Sequence, residues 1–252
     1  MTERPGSDSS FYVGYLPMPA GDRWFVRTLV VLLVVWILGV GGIIAMSMRD
    51  PGDAAWITSN ERVWTGTLAM RPYPMLVPDD DPEHPLLVVS MGKRGAHDRL
   101  ARHDGFTVRL RGWELHRDGR RLIELAEEED AIVDVAAGSV LPEPTAFPEP
   151  VMLEGEIVDG KCFLGAMKPG DGAGHESCAV LCLRGKLPPM LATVDAGGAP
   201  VYHLLVLDGE TALSARALTH VARRVRVEGR LAWPFDGLSV LYASEDGITQ
   251  LE

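Results

Sequence analysis

From Thr28 to Met48 the chain reads "TLVVLLVVWILGVGGIIAMSM", 21 residues without a charged side chain. At 1.5 Å per residue a helix of that length spans about 31 Å, the thickness of a hydrocarbon core. The pattern therefore predicts a transmembrane helix over residues 24–48, with Trp24 and Phe25 at the headgroup layer. The apolar core of a cleavable signal peptide is shorter, about 7–15 residues, and here a polar segment of more than 20 residues comes first. An uncleaved anchor is the expectation. Arg4, Arg23 and Arg27 precede the span, and Arg49 and Arg62 follow it. The slight positive excess puts residues 1–23 in the cytoplasm and the rest of the chain outside.

Beyond a short juxtamembrane segment the chain reads as strands punctuated by turns. "RVWTGTLAM", "PLLVVSM", "FTVRLRGWEL" and "RRLIELA" are short β-rich runs, and "HRDGRR" supplies an Asp-Gly hairpin turn between the last two. The proline-rich stretch "LPEPTAFPEP" makes residues 141–150 a linker between modules at 49–140 and 151–252. The modules read as copies. Val108, Arg109 and Gly112 fall on Val225, Arg226 and Gly229 at an offset of 117, whereas Gly66 falls on Gly155 at an offset of 89. The second module is longer by the difference, 28 residues, which matches the segment 161–189. The expected fold is mainly β: an N-terminal transmembrane helix and two small OB-like barrels, the second with an inserted loop and short helix. "SARALTHVAR" is the helix expected before the late strands of the second module, with "AHDRLARHDG" as its weaker counterpart.

Charge narrows the function. The net charge is −11 and Lys and Arg nowhere cluster, which speaks against nucleic acid. The acidic runs "VPDDDPEHP" and "LAEEEDA" read as solvated loops and faces, and His203 and His220 as ordinary histidines. No G-x-S-x-G elbow, phosphate loop, H-E-x-x-H or G-x-G-x-x-G after a strand is present. With no catalytic motif, a non-enzymatic accessory or electron-transfer component is expected rather than a hydrolase, kinase or nicotinamide enzyme.

The inserted segment holds the candidate chemistry. All three cysteines of the chain, Cys162, Cys178 and Cys182, lie there with His175 among them. "HESCAVLCLRGKLPP" predicts about two and a half helical turns: Glu176 suits the helix start, Gly185 the stop, and Pro188-Pro189 cannot continue it. On that helix His175, Cys178 and Cys182 share one stripe, and the glycines at 170, 172 and 174 can fold Cys162 back onto it. A C-x12-H-x2-C-x3-C set offers three thiolates and an imidazole, suited to zinc, to Cu(I) or to an iron–sulfur cluster. Met167 adds a thioether, and Asp159 can orient a ligand from behind. Two other accounts compete. A structural or redox-active disulfide would leave one thiol over, and three inert buried thiols would do no chemistry.

"GEIVDGKCFLGAMKPGDGAGHESCAVLCLRGKLPPML", with "FYVGYLPMP" before the span, resembles a family of bacterial single-span membrane proteins that carry the pattern C…G-x-x-M-x-P-G…H-x-x-C-A-x-x-C. Lys186 and Leu187 depart from it, where a second glycine and a branched residue are expected. The resemblance implies a shared site at Cys162, His175, Cys178 and Cys182. It also implies a place in the inner membrane, a periplasmic C-terminal region, and a protein partner in a respiratory or molybdenum-enzyme electron-transfer system. A thiol–disulfide redox protein, or a structural subunit with a disulfide-stapled docking loop, is the alternative.

Overall fold

The computed structural model describes residues 20–47, 52–127, 131–138, 150–235 and 237–251. The motif "FYVGYLPMP" and all of the expected linker but Pro150 lie outside them. The chain divides into two compact units, Met1–Asp50 and Pro51–Glu252. The first contributes helix α1 (Ala20–Ser47), most of whose apolar side chains are exposed. It is long and apolar enough to cross a membrane, as a single span or a signal sequence would be.

The second unit is mainly β. Its N-terminal half contains β1 (Ala55–Ala69), β2 (Met75–Pro78), β3 (Leu86–Ser90), β4 (Arg94–Gly95), β5 (Thr107–Arg117), β6 (Arg120–Leu125) and β7 (Ile132–Ala136), with helix α2 (His97–Leu100) after β4. β1 pairs antiparallel with β2 and β2 with β3; β3 runs parallel to β6; β6 pairs with β5, and β5 returns to β1. The C-terminal half contains β8 (Val151–Asp159), helix α3 (Glu176–Arg184), β9 (Pro189–Val194), β10 (Pro200–Leu207), β11 (Arg224–Phe235) and β12 (Leu238–Gln250). Its five strands form a closed barrel in which β10 and β12 are the parallel pair. With the two-residue β4 and the appended β7 left out of the count, both halves trace one circuit: first, second, third, fifth and fourth strand, then back to the first.

The register carries the likeness down to single residues. Gly66 lies opposite Val108 and Gly155 opposite Val225; Gly112 lies opposite Arg62 and Gly229 opposite Val151. The offsets of 89 and 117 therefore hold across both strand pairs. The glycines recur for a steric reason. A Cβ on Gly66 would sit 2.1 Å from the Val77 carbonyl oxygen, and one on Gly155 would sit 2.2 Å from that of Ala192. At both places the next strand passes too close for any side chain.

The Asp118-Gly119 turn joins β5 to β6 with both residues at positive φ, as a two-residue hairpin of type I′ needs. β2, only four residues long and ended by Pro78, has too short an apolar run to stand out in the sequence. The helix expected over "SARALTHVAR" is a single 3₁₀ turn, Ala217–His220, shorter than α2 with the turn Ala101–His103 that comes after it. β8 captures the chain just beyond that turn: Val221 bridges Ile157, and the Ala222 amide donates to the Ile157 carbonyl at 2.9 Å. This pulls Val221 into an extended conformation and ends the helix.

Three apolar clusters hold the unit together. One lies within the first barrel, around Leu68, Leu110 and Ile123, and one within the second, around Ile157, Leu205 and Leu241. The third joins Tyr73, Leu87 and Leu122 of the first to Met190, Leu204 and Val240 of the second, with Cys162, Phe163, Leu164 and Cys182 of the insertion in it. The insertion is thus packed as the filling between two barrels.

In the second barrel His203 is buried, with Nδ1 2.7 Å from Ser239 Oγ and Nε2 3.4 Å from Thr193 Oγ1. Thr193 gives its own proton to the Val201 carbonyl at 3.0 Å, so these contacts suit a neutral ring protonated at Nε2. Burial first, and the Arg120 charge second, lower its pKa to about 4. Between pH 6.5 and about 4 an unfolded chain takes up a proton that the folded ring refuses, so stability falls as the pH drops through that window. The loss expected from this group is roughly 2 kcal/mol. Thermal unfolding of His203→Gln should show a shallower decline over the same range, and a decline as steep as that of the parent would exclude this origin.

Candidate metal centre

β8 ends at Asp159, which is fully buried and fixes the turn beyond it. Its Oδ1 accepts the Cys162 amide at 2.8 Å, and its Oδ2 lies 3.1 Å from His175 Nε2. The chain then turns through Cys162–Ala166 in a π-helical turn broken by Gly165 at φ 144°. Phe163 anchors the turn. The Arg117 guanidinium lies 4.0 Å from its ring centroid and donates to its carbonyl at 3.1 Å, while Tyr202 meets the ring edge-to-face at 4.9 Å.

From the other side α3 presents Cys178 and Cys182 one turn apart. It starts after His175 and stops at Gly185, whose amide bonds back to Leu181, as the cap residues of the sequence predict. Cys162 Sγ lies 3.8 Å from Cys182 Sγ and 4.0 Å from Cys178 Sγ, and the three sulfurs fall within 4.8 Å of one another. All three are free thiols. Sulfurs tetrahedrally arranged around one ion at about 2.3 Å stand about 3.8 Å apart. The three cysteines could therefore hold a metal ion. His175 forms a second such group with Asp159 and Cys162, so the two groups share Cys162.

The site has a component that the sequence does not announce. The turn between β3 and β4, from the first barrel, lays Lys93 over the thiols, with Nζ 2.7 Å from Cys178 Sγ and 3.6 Å from Cys182 Sγ. That turn is docked on the end of α3, where the Gly95 amide donates to the Gly185 carbonyl at 2.7 Å. Beside it Lys161 is buried in an ion pair with Glu124 of β6 and also donates to the Gly92 carbonyl at 2.7 Å. Nothing in "SMGKRGAHD" marks Lys93 as a partner of cysteines 85 and 89 residues away. The adjacency of Lys161 and Cys162 is the only trace in the sequence.

These contacts set the thiol electrostatics. The hydrogen bond from Cys162, opposed by burial and aided by Lys93, draws Cys182 down to about 7. That same bond, with burial and the Asp159 carboxylate, pushes Cys162 up. Lys93 is pushed up by the sulfur it touches and stays an ammonium.

No family model and no curated protein matches the chain. The reading of the site accordingly rests on its geometry. The three cysteines also line a cavity of about 510 Å³, with Trp56, Trp113, Met91 and Met167 among its walls.

Proposed function

We propose that this protein is a membrane-anchored accessory protein that holds a thiophilic metal ion or redox centre on Cys162, Cys178 and Cys182. Its two barrels are OB-like, and the anchor places them on the periplasmic side of a bacterial inner membrane, where the centre serves an electron-transfer or metalloenzyme complex. The observation that carries the reading is the convergence of three free sulfurs at 3.8 and 4.0 Å, the spacing of ligands around one ion. The common strand circuit supports the OB-like assignment, and the apolar length of α1 supports the anchor. Zinc, Cu(I) and iron all accept thiolates. In this reading His175 holds Asp159, which fixes the Cys162 backbone. The Cys3His alternative adds His175 as the fourth ligand through its other ring nitrogen, with Asp159 holding Nε2 from behind.

A second reading is a thiol–disulfide protein, favoured by a Cys182 thiol lowered to about 7 beside a second thiol 3.8 Å away. Metal analysis of the full chain, purified in detergent without chelators, separates the two when free thiols are counted on the same sample. The expected result is about one zinc, copper or iron per chain, with affinity at least tenfold weaker in Cys182→Ser. His175→Ala should keep the metal, and its loss there would make the imidazole a ligand. No metal and a single free thiol would refute the metal reading in favour of the disulfide.

A further inference from the structure

We infer that the thiolate centre keeps one coordination position open to the cavity in front of it, and that this position takes a neutral, flat nitrogen-donor ring of the imidazole or pyridine kind. The inference rests on the metal reading above. Three sulfurs supply three ligands, while His175 is buried, hydrogen-bonded to Asp159, grouped with Asp159 and Cys162 rather than with the three thiols, and not among the residues that line the cavity. Structural thiolate sites are closed by a fourth protein ligand, whereas reactive ones leave that place free. Here the same three cysteines line a cavity of about 510 Å³, within the range of sites that take small molecules.

The walls and the charge specify the ligand. Trp56 and Trp113 offer two indole faces, and Met91 and Met167 offer thioethers, so the body of the ligand is apolar and flat. A divalent ion with three thiolates carries one negative charge, which the Lys93 ammonium at 2.7 Å from Cys178 cancels. A neutral donor leaves that sum at zero, whereas an anion would put an uncompensated charge against apolar walls. The ring can come from a free small molecule or from a histidine side chain of a partner, and the chemistry of recognition is the same.

Cobalt(II) substitution of the full chain in detergent tests this, because its visible bands report the coordination sphere. Cobalt should give thiolate charge-transfer bands, and 4-methylpyridine should then change the ligand-field bands saturably, with azide at the same concentration at least tenfold less effective. N-acetylhistidine methylamide serves as the partner-like probe. A response to it at concentrations tenfold below those of the pyridine would favour a partner histidine over a free ligand. Ala166→Phe, which narrows the cavity, should abolish the response while cobalt content stays unchanged. If that variant fails to fold, Trp113→Ala should weaken pyridine binding about tenfold. Charge-transfer bands that no probe alters would show a closed centre and overturn the inference while leaving the metal reading intact, and azide binding more tightly than pyridine would overturn the ligand class. Failure to take up cobalt at all would remove the metal reading and this inference with it.

Discussion

Replacing Lys161 by alanine is expected to cost about 4 kcal/mol of stability, the largest effect expected of any single substitution named for this protein. Lys161 and Glu124 are 4% and 1% exposed, and they form a buried ion pair between β6 and the insertion, at the wall of the cavity. Glu124 Oε2 has no hydrogen-bond partner among the described residues, so the carboxylate depends on Lys161 through its other oxygen. Removing the ammonium leaves a buried charge with nothing opposite it, and also strands the Gly92 and Ser90 carbonyls that Lys161 caps. The cost lies in breaking the pair rather than in lacking it. Lys161→Met combined with Glu124→Leu should therefore recover most of the loss. Urea unfolding of the full chain in mild detergent, followed by tryptophan fluorescence, measures both. A Lys161→Ala midpoint within about 1 kcal/mol of the parent would show that the pair does not clamp the barrels.

Gly185→Ala should cost about 3 kcal/mol, at the upper end of what overpacking exacts. At φ −78° alanine meets no backbone strain there, so the penalty is steric alone. The new Cβ would lie 1.8 Å from the Lys93 carbonyl oxygen, a backbone atom that cannot swing aside. Relief requires the β3–β4 turn to lift from α3, breaking the Gly95–Gly185 hydrogen bond and withdrawing Lys93 from the thiols. The variant should therefore also bind zinc at least tenfold more weakly, measured by competition with a chromophoric chelator. Gly174→Ala is the control: among the described residues, nothing beyond its chain neighbours lies within 4 Å of a Cβ at that position, and its cost should stay under about 0.5 kcal/mol. Equal behaviour of the two variants would mean that the turn and helix are not locked together.

These two residues mark where sequence reading stops. The apolar run of α1, the Asp118-Gly119 hairpin and the α3 boundaries at Glu176 and Gly185 were all legible, because each depends on neighbours within a few positions. So was the duplication, because Gly66 and Gly155 answer the same steric demand in equivalent strands. The convergence of Cys162, Cys178 and Cys182 followed from helix spacing and a glycine loop, and the sulfurs do meet.

What local pattern could not supply is the packing of one barrel on the other. The segment 161–189 reads as an insertion that a barrel can do without, yet its Cys162, Phe163, Leu164 and Leu187 form the apolar layer between the two. His175 lies on the sequence stripe of Cys178 and Cys182, and the fold sets its Nε2 3.1 Å from Asp159. Lys93, Trp56 and Trp113 enter the site from strands and turns of the other barrel. By itself the sequence determined the elements and the ligand types, since propensity, period and donor chemistry belong to short stretches of chain. Only the tertiary structure decided which charges and walls surround the thiols, because those contacts join residues far apart in sequence through a packing that no local period encodes.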